Sequence, residues 1–478
     1  MGKQVLLYFI IVLQLSYIFS VNVRHEIRVS TNGNDSSDCI NPVSKSAACE
    51  TLDYVLGQIE RNTSLKNSTT VIIESGLYAL NRSHTFENVN NLQITGVYSG
   101  GQVSGSQNND VVIQCYMGVG LAFLHSENLT FSYLTFCNCG AWQNNTSINN
   151  PKFLAAIFIV YSRNLKVIWC HISKSSGVGV NLYDVGGSVI FENSTFTENY
   201  ALDSWNFTYR DGLRRAGGGL HIEFTYCGAL YPFECSEVDT DKYNRENSYT
   251  IRNCNFTQNN GTTEHKYNQT FNVNPCKKDF NSIGRGGGIS LIIKGNATGN
   301  QFLFDNCTFL RNTADWGGGY AVYFQDNASN NALRVTKSRF LRNTARYGGG
   351  AIKCATTIFG TFQDLTAREG NFYFHENCIF EQNKAIEGWG GAFSAFGSTG
   401  YLNTHGWNAS KTPAFVGCHW RENSATAGAA IGALTKLPEL WRKSAGIEGQ
   451  GFGFALKLEN NTFTKNFIIP ALCNVTVF

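Results

Sequence analysis

Residues 306–324 read NCTFLRNTADWGGGYAVYF, and residues 337–354 write the same idea again as KSRFLRNTARYGGGAIKC. The shared unit is Phe-x-x-Asn, then a few residues, then three small ones. Phe-x-x-Asn occurs at Phe196/Asn199, Phe256/Asn259, Phe309/Asn312, Phe340/Asn343, Phe380/Asn383 and Phe463/Asn466, with a Trp-led copy at Trp420/Asn423. Small triplets follow at 217–219, 286–288, 317–319, 348–350, 390–392 and 428–430. A unit of constant core with polar insertions of variable length is the signature of a repeat architecture.

Side-chain alternation gives each unit its faces. In NCTF, Phe309 and Cys307 point one way, Asn306 and Thr308 the other. NCNF and NCIF place Cys254 with Phe256 and Cys378 with Phe380 in the same sense. After the small triplet, alternate residues are mostly apolar: Leu220 and Ile222, Ile289 and Leu291, Tyr320 and Val322, Phe393 and Ala395. Each unit therefore predicts at least two short strands with one buried face. Between them, Asn199, Asn259, Asn312, Asn343, Asn383, Asn423 and Asn466 occupy a bend. An amide both donates and accepts, so each such Asn can bond the Asn stacked above it. The glycines supply a tight backbone turn into the next strand.

The shortest unit, Phe309 to Phe340, is long enough for one three-sided coil. Hairpins do not follow from one motif per 30–40 residues; stacked coils do. The sequence predicts an all-β fold, a single-stranded right-handed parallel β-helix (solenoid) with a short N-terminal cap. Its roughly ten coils stack at about 4.8 Å each. At 478 residues the chain exceeds an ordinary single domain, but a solenoid lengthens without enlarging its core. The expected organisation is a signal peptide over 1–20, a cap region with a short helix over 21–68, and the β-helix with polar insertions over 69–478.

The N-terminus, MGKQVLLYFIIVLQLSYIFSV, has one Lys before an apolar run and a candidate cleavage point near Ser20. An uncleaved anchor is the alternative, but the run is short for a bilayer. Fifteen cysteines without metal-ligand spacing suit an oxidising compartment. Eighteen Asn-x-Ser/Thr sequons suit a glycoprotein. With the overlapping sequons of Asn144 and Asn145 taken as one, the candidate N-glycosylation sites are Asn34, Asn62, Asn67, Asn81, Asn128, Asn144, Asn193, Asn206, Asn255, Asn260, Asn268, Asn296, Asn306, Asn327, Asn408, Asn460 and Asn474. Cys39 with Cys49 and Cys227 with Cys235 each flank a polar loop and are candidate disulfides. A net charge of +3, without a long basic run, gives no footprint for nucleic acid.

The paired Gly-Gly-[Gly/Ala]-x and Phe-x-x-Asn motifs resemble the repeats of chlamydial polymorphic outer-membrane proteins. Similar repeats occur in surface proteins of some animals and protists, all within the pectin-lyase-like β-helix superfamily. The resemblance covers residues 190–478 by motif and 21–190 by pattern. It implies an exported surface or adhesion protein. The bacterial family ends in a membrane β-barrel, and the residues after Phe463 are too few for one. Enzymes of the superfamily cleave acidic polysaccharides, and polygalacturonases carry Asn-Thr-Asp, Asp-Asp, Gly-His-Gly and Arg-Ile-Lys motifs. None of the four is present.

The one local candidate for acid–base chemistry is GGGLHIEF, where His221 and Glu223 project from the same side of a strand, with Asp211 and Arg214 in the preceding loop. The expected state of this pair is a solvated strand face, since Ser290, Ile292, Ala321 and Tyr323 occupy the same columns in the next coils. STNGNDSSD (30–38) is rich in oxygen atoms, which suits calcium or an ordinary turn. No metal or other cofactor is expected. The reading is a secreted or cell-surface glycoprotein, a non-catalytic β-helix for adhesion to or recognition of an extracellular glycan or protein. The alternatives are a polysaccharide lyase or glycoside hydrolase of the same fold, and the ectodomain of a longer membrane-anchored protein. The last strand, LCNVTVF, carries no cap, which points to a continuation or a partner chain.

Overall fold

The computed structural model describes residues 25–40, 47–97, 110–116, 120–140, 155–200, 217–224, 243–262, 284–324, 328–355, 371–396, 414–434 and 457–469. The signal-peptide segment, Asp211, Arg214, Cys227 and Cys235 lie outside these residues.

Every strand pairing is parallel, and consecutive coils stack in register. Among the described residues the ladders form sheets of 20, 11 and 6 strands. The first of these is two faces of the solenoid joined. Its two long strands, Ala155–Ile168 and Val178–Glu192, run across both. One face is the glycine-led series from His84–Glu87 to Ile431–Leu434. The other runs from His25–Val29 to Lys457–Glu459 and is twelve strands deep, against the roughly ten coils expected. The 11-stranded sheet, from Gly76–Leu80 to Thr462–Thr464, carries the Phe of the repeat. The protein is a right-handed parallel β-helix.

The aromatic residue of the motif forms a spine along the core. Ring centroids are 4.8 Å apart for Phe196–Phe256, 5.0 Å for Phe256–Phe309, 4.7 Å for Phe309–Phe340 and 4.9 Å for Phe340–Phe380. Trp420 continues the stack on Phe380 at 4.1 Å, so the Trp-led copy is a true repeat. Beside this spine Cys254, Cys307, Cys378 and Cys418 are buried, sharing their column with Ser194 and Ser338. Thiol and hydroxyl do the same work there. Cys307 Sγ donates to the Asp305 carbonyl (3.4 Å) as Ser338 Oγ donates to the Thr336 carbonyl (2.9 Å).

The motif asparagines form a ladder. Nδ2 of Asn199, Asn259, Asn312, Asn343, Asn383 and Asn423 each donates to Oδ1 of the next Asn, at 2.9 or 3.0 Å. A second ladder, Asn247–Asn300–Asn331–Asn371, runs up another corner with bonds of 2.8 or 2.9 Å. The motif search does not reveal it, because its members do not follow Phe-x-x.

The glycines do more than turn the chain. A Cβ on Gly350 would lie 2.1 Å from the Gly391 carbonyl oxygen and 2.5 Å from the Lys384 nitrogen. Backbone of the next coil fills the space a side chain would need. One copy is displaced from the sequence alignment. A register shift pairs Trp316 with Gly348, so Gly317, Gly318 and Gly319 stack on Gly349, Gly350 and Ala351 rather than on 348–350.

The start of the stack is closed by the helix Leu52–Arg61. Leu52, Val55, Leu56 and Ile59, on one helical face, are buried against the first coils. Thr51 caps it through Tyr54 N (3.2 Å). Asp35, in the oxygen-rich 30–38 loop, accepts from the Glu50 and Thr51 nitrogens (2.8 and 2.9 Å), so that carboxylate orders the helix entry. Cys39 and Cys49 are joined, with Cα atoms 5.1 Å apart. A second disulfide, Cys115–Cys139, has no counterpart among the sequence-based expectations. Among the described residues no helix is long and apolar enough to cross a membrane.

Candidate functional site

The outward face of the glycine-led sheet holds His221 and Glu223. Alternation places them together, as expected, but the face does not meet water. His221 is 1% exposed and Glu223 2%. The expectation of a solvated strand face is therefore wrong. The same columns above and below are buried as well: Phe158, Val160, Asn181, Ser290, Ile292, Ala321, Tyr323, Lys353 and Ser394. This sheet has a covered layer on both sides. Alternating small and apolar residues on its outer column belong to that second layer rather than to a bare strand.

Burial forces Glu223 to find compensating partners. His221 Nε2 lies 3.0 Å from Glu223 Oε2, and Lys294 Nζ 2.6 Å from Glu223 Oε1. Lys294 sits just beyond the strand Ile289–Ile293 of the next coil, so the ion pair also ties two rungs. Lys294 carried no signal in the sequence reading, because its approach depends on stacking. An ionised carboxylate can only accept, so the proton of a neutral His221 ring resides on Nε2. Nδ1 is then left with its lone pair, and no partner holds it.

That atom is not alone. Asn181, His221 and Ser290 are stacked neighbours in register. Asn181 Oδ1, His221 Nδ1 and Ser290 Oγ are all buried without a hydrogen-bond partner. Three such atoms in one column at successive rungs make a polar strip suited to ordered water or to the hydroxyls of a ligand. The Tyr183 ring meets His221 edge-on, at 5.4 Å between centroids.

Further along the same face cations meet aromatic rings. The Arg285 guanidinium lies 4.5 Å from the Tyr323 ring centroid. Lys353 Nζ lies 4.3 Å from the Trp316 ring and 5.2 Å from the Trp389 ring. Removal from water pushes the Lys353 ammonium down to about 7, with Cys354 acting weakly the other way. Among the described residues no three His, Cys, Asp or Glu side chains are grouped to hold a metal ion.

No family profile and no curated relative matches the chain. Solved structures do. A polygalacturonase from Erwinia carotovora ssp. carotovora is 9% identical over 93% of this chain and 95% of its own, with a TM-score of 0.42. An endo-xylogalacturonan hydrolase from Aspergillus tubingensis is 9% identical over 92% of each chain, TM-score 0.36. Pectate lyase Pel9A is 10% identical over 87% of this chain and 80% of its own, TM-score 0.35. The parallel ladders, the inward aromatic spine and the asparagine column define the architecture on their own. The fold is a parallel β-helix. At these identities the likeness is one of fold, and activity has to be argued from residues.

Proposed function

We propose that the protein is a secreted or cell-surface glycoprotein whose β-helix serves adhesion or recognition of an extracellular glycan or protein, without catalysis. The observation that carries this reading is the state of the His221–Glu223–Lys294 network. The carboxylate best placed for acid–base work is buried and compensated by two bases. Its role is to hold a covered sheet together. The N-terminal apolar run, the sequons and the Cys39–Cys49 and Cys115–Cys139 disulfides support the export half of the reading.

One observation favours a second reading, an enzyme acting on an extracellular polysaccharide. Glu223 orients the His221 ring and leaves Nδ1 as a candidate base beside the unpartnered Asn181 and Ser290 oxygens. A glycan array run beside a polysaccharide-degradation screen separates the two. Retention of a glycan or protein ligand with no new chain ends is the expected outcome. Cleavage that disappears in His221→Ala while the variant remains folded overturns it.

A further inference from the structure

Among the described residues no buried asparagine begins a sequon: twelve are buried, most of them in the two ladders. The separation is close in places. Asn312-Thr313 and Asn343-Thr344 put Thr directly after the ladder Asn, and Ala314 and Ala345 then occupy the position where a sequon needs its hydroxyl. Among the described residues the sequon asparagines are Asn34, Asn62, Asn67, Asn81, Asn128, Asn193, Asn255, Asn260, Asn296, Asn306 and Asn460, and every one is exposed or half-buried. Asn144, Asn206, Asn268, Asn327, Asn408 and Asn474 lie outside the described residues.

One corner of the solenoid gathers four of them. From Val178–Glu192 upward, each strand of the twelve-strand face ends in a residue of left-handed backbone: Asn193 (φ 50°), Asn253 (53°), Asn306 (52°), Lys337 (50°), Asn377 (54°), Gly417 (63°) and Asn460 (52°). The amides of this column donate from coil to coil. For example, Asn193 N donates to the Arg252 carbonyl, and Asn306 N to the Thr336 carbonyl (both 3.0 Å). Left-handed backbone favours Asn for its own reasons, so Asn alone is explained by the turn. The turn does not call for the hydroxyl two residues on. Asn193, Asn306 and Asn460 have it, in Thr195, Thr308 and Thr462, while Asn253 and Asn377 do not. In the Asn193 and Asn306 sequons the middle residue, Ser194 or Cys307, is buried, leaving Asn and Thr on the outer side. Asn255 adds a fourth sequon two residues further along, on the coil between Asn193 and Asn306, and is exposed. No two successive positions of the column itself are sequons.

The corner tolerates the linkage. Asn306 Nδ2 donates to Asn253 Oδ1 (2.9 Å), and Asn253 Nδ2 to Asn193 Oδ1 (3.1 Å). An amide nitrogen has two hydrogens, so a glycan on Asn306 leaves one for this bond. Asn193 enters the chain through its oxygen, which the linkage leaves intact.

We propose that this corner is N-glycosylated at Asn193, Asn255, Asn306 and Asn460, sheathing one edge of the β-helix in carbohydrate and leaving recognition to the other edges. The donor is a lipid-pyrophosphate-linked oligosaccharide. Nδ2 bonds to the sugar C1, the C1–O bond to the pyrophosphate breaks, the lipid pyrophosphate leaves with that electron pair, and one amide proton is released to a base of the transferase. The inference rests on the secretory reading above.

The test is site mapping on the full chain secreted from animal cells. N-glycosidase digestion in isotopically heavy water marks each formerly modified Asn as a labelled Asp in the peptide mass spectrum. Label at all four positions is expected, together with Asn34 or Asn62 near the N-terminal cap. Two or more of the four unlabelled while Asn34 or Asn62 is labelled overturns the corner and leaves secretion standing. No label anywhere in a chain retained by the cell overturns secretion and the corner with it. Thr308→Ala gives an independent readout, since it removes the sequon but keeps the Asn306 ladder bond. It should migrate faster by one glycan with an unchanged melting temperature, and unchanged migration would mean that Asn306 is bare.

Discussion

Replacing Asn312 by Ala tests the central energetic claim, that the motif asparagines hold the coils together. Asn312 Nδ2 donates to the Phe256 carbonyl (2.8 Å) and to Asn343 Oδ1 (3.0 Å), while its Oδ1 accepts from the Asn259 backbone nitrogen and Asn259 Nδ2 (both 3.0 Å). The substitution deprives three groups inside the wall of these bonds: the Phe256 carbonyl, the Asn259 amide and one Asn259 side-chain hydrogen. Asn343 Oδ1 keeps its bond from the Asn312 backbone nitrogen (3.0 Å). A buried polar group left unsatisfied costs about 1–3 kcal/mol, so with some relaxation the loss is about 3–6 kcal/mol. Unfolding entropy of about 2.1 cal/mol/K per residue makes 1 kcal/mol worth about 1 °C in a chain of this length. The expected fall in Tm is therefore about 3–6 °C by calorimetry. Gln301→Ala, on an exposed residue one turn away, should shift Tm by less than about 0.5 °C. A fall below about 1 °C for Asn312→Ala would refute the reasoning, and the ladder would then be a by-product of stacking held by the Phe spine.

Three further outcomes follow from the same structure. Glu223→Ala leaves Lys294 buried without its carboxylate and should cost about 3–5 kcal/mol, with Glu223→Ala/Lys294→Met recovering part of it in the same thermal assay; a neutral single variant would mean that the face is open to water after all. Lys353, held down at about 7 by burial, binds a proton in the unfolded chain but not the folded one between about pH 7 and its ordinary value near 10.5. Stability contributed at this position therefore rises with pH across that window, and the stability difference between the native chain and Lys353→Met should shift in favour of the native chain from pH 7 to pH 10; a flat difference would show Lys353 charged and paired throughout. Gly350→Ala drives a Cβ into the Gly391 carbonyl, so secreted yield should collapse, whereas a folded variant of normal yield would place slack between coils that the close approach does not allow.

The solenoid could be read from sequence because its signals are local and repeat. Phe-x-x-Asn marks the spine and one ladder, and the small triplet marks the close approach of backbones. The second ladder also left a trace. Asn247, Asn300, Asn331 and Asn371 each precede a motif Asn by the same interval, as 259 − 247, 312 − 300, 343 − 331 and 383 − 371 all give 12. Searching for the interval rather than the motif finds it. The displaced Gly348 could not be anticipated, because a bulge between Ala314 and Trp316 shifts register without changing composition. Nor could the burial of His221 and Glu223. Alternation says which way a side chain points, but not whether that side is covered, and only the structure shows these two side chains buried.

That difference says where variation in this protein can matter. The intervals between ladder positions are fixed on two corners: from the start of a twelve-strand-face strand to the motif Asn the chain spends the same twelve residues in four coils. The longer segments 201–216, 225–242, 263–283, 356–370, 397–413 and 435–456 all join the chain next to an end of a glycine-led strand. A solenoid admits extra residues only where they do not interrupt stacked bonds. Here those places flank an outward sheet face that is buried among the described residues. The two asparagine ladders fix the corners, the sequon corner faces outward, and the glycine-led side is where the chain can differ from coil to coil.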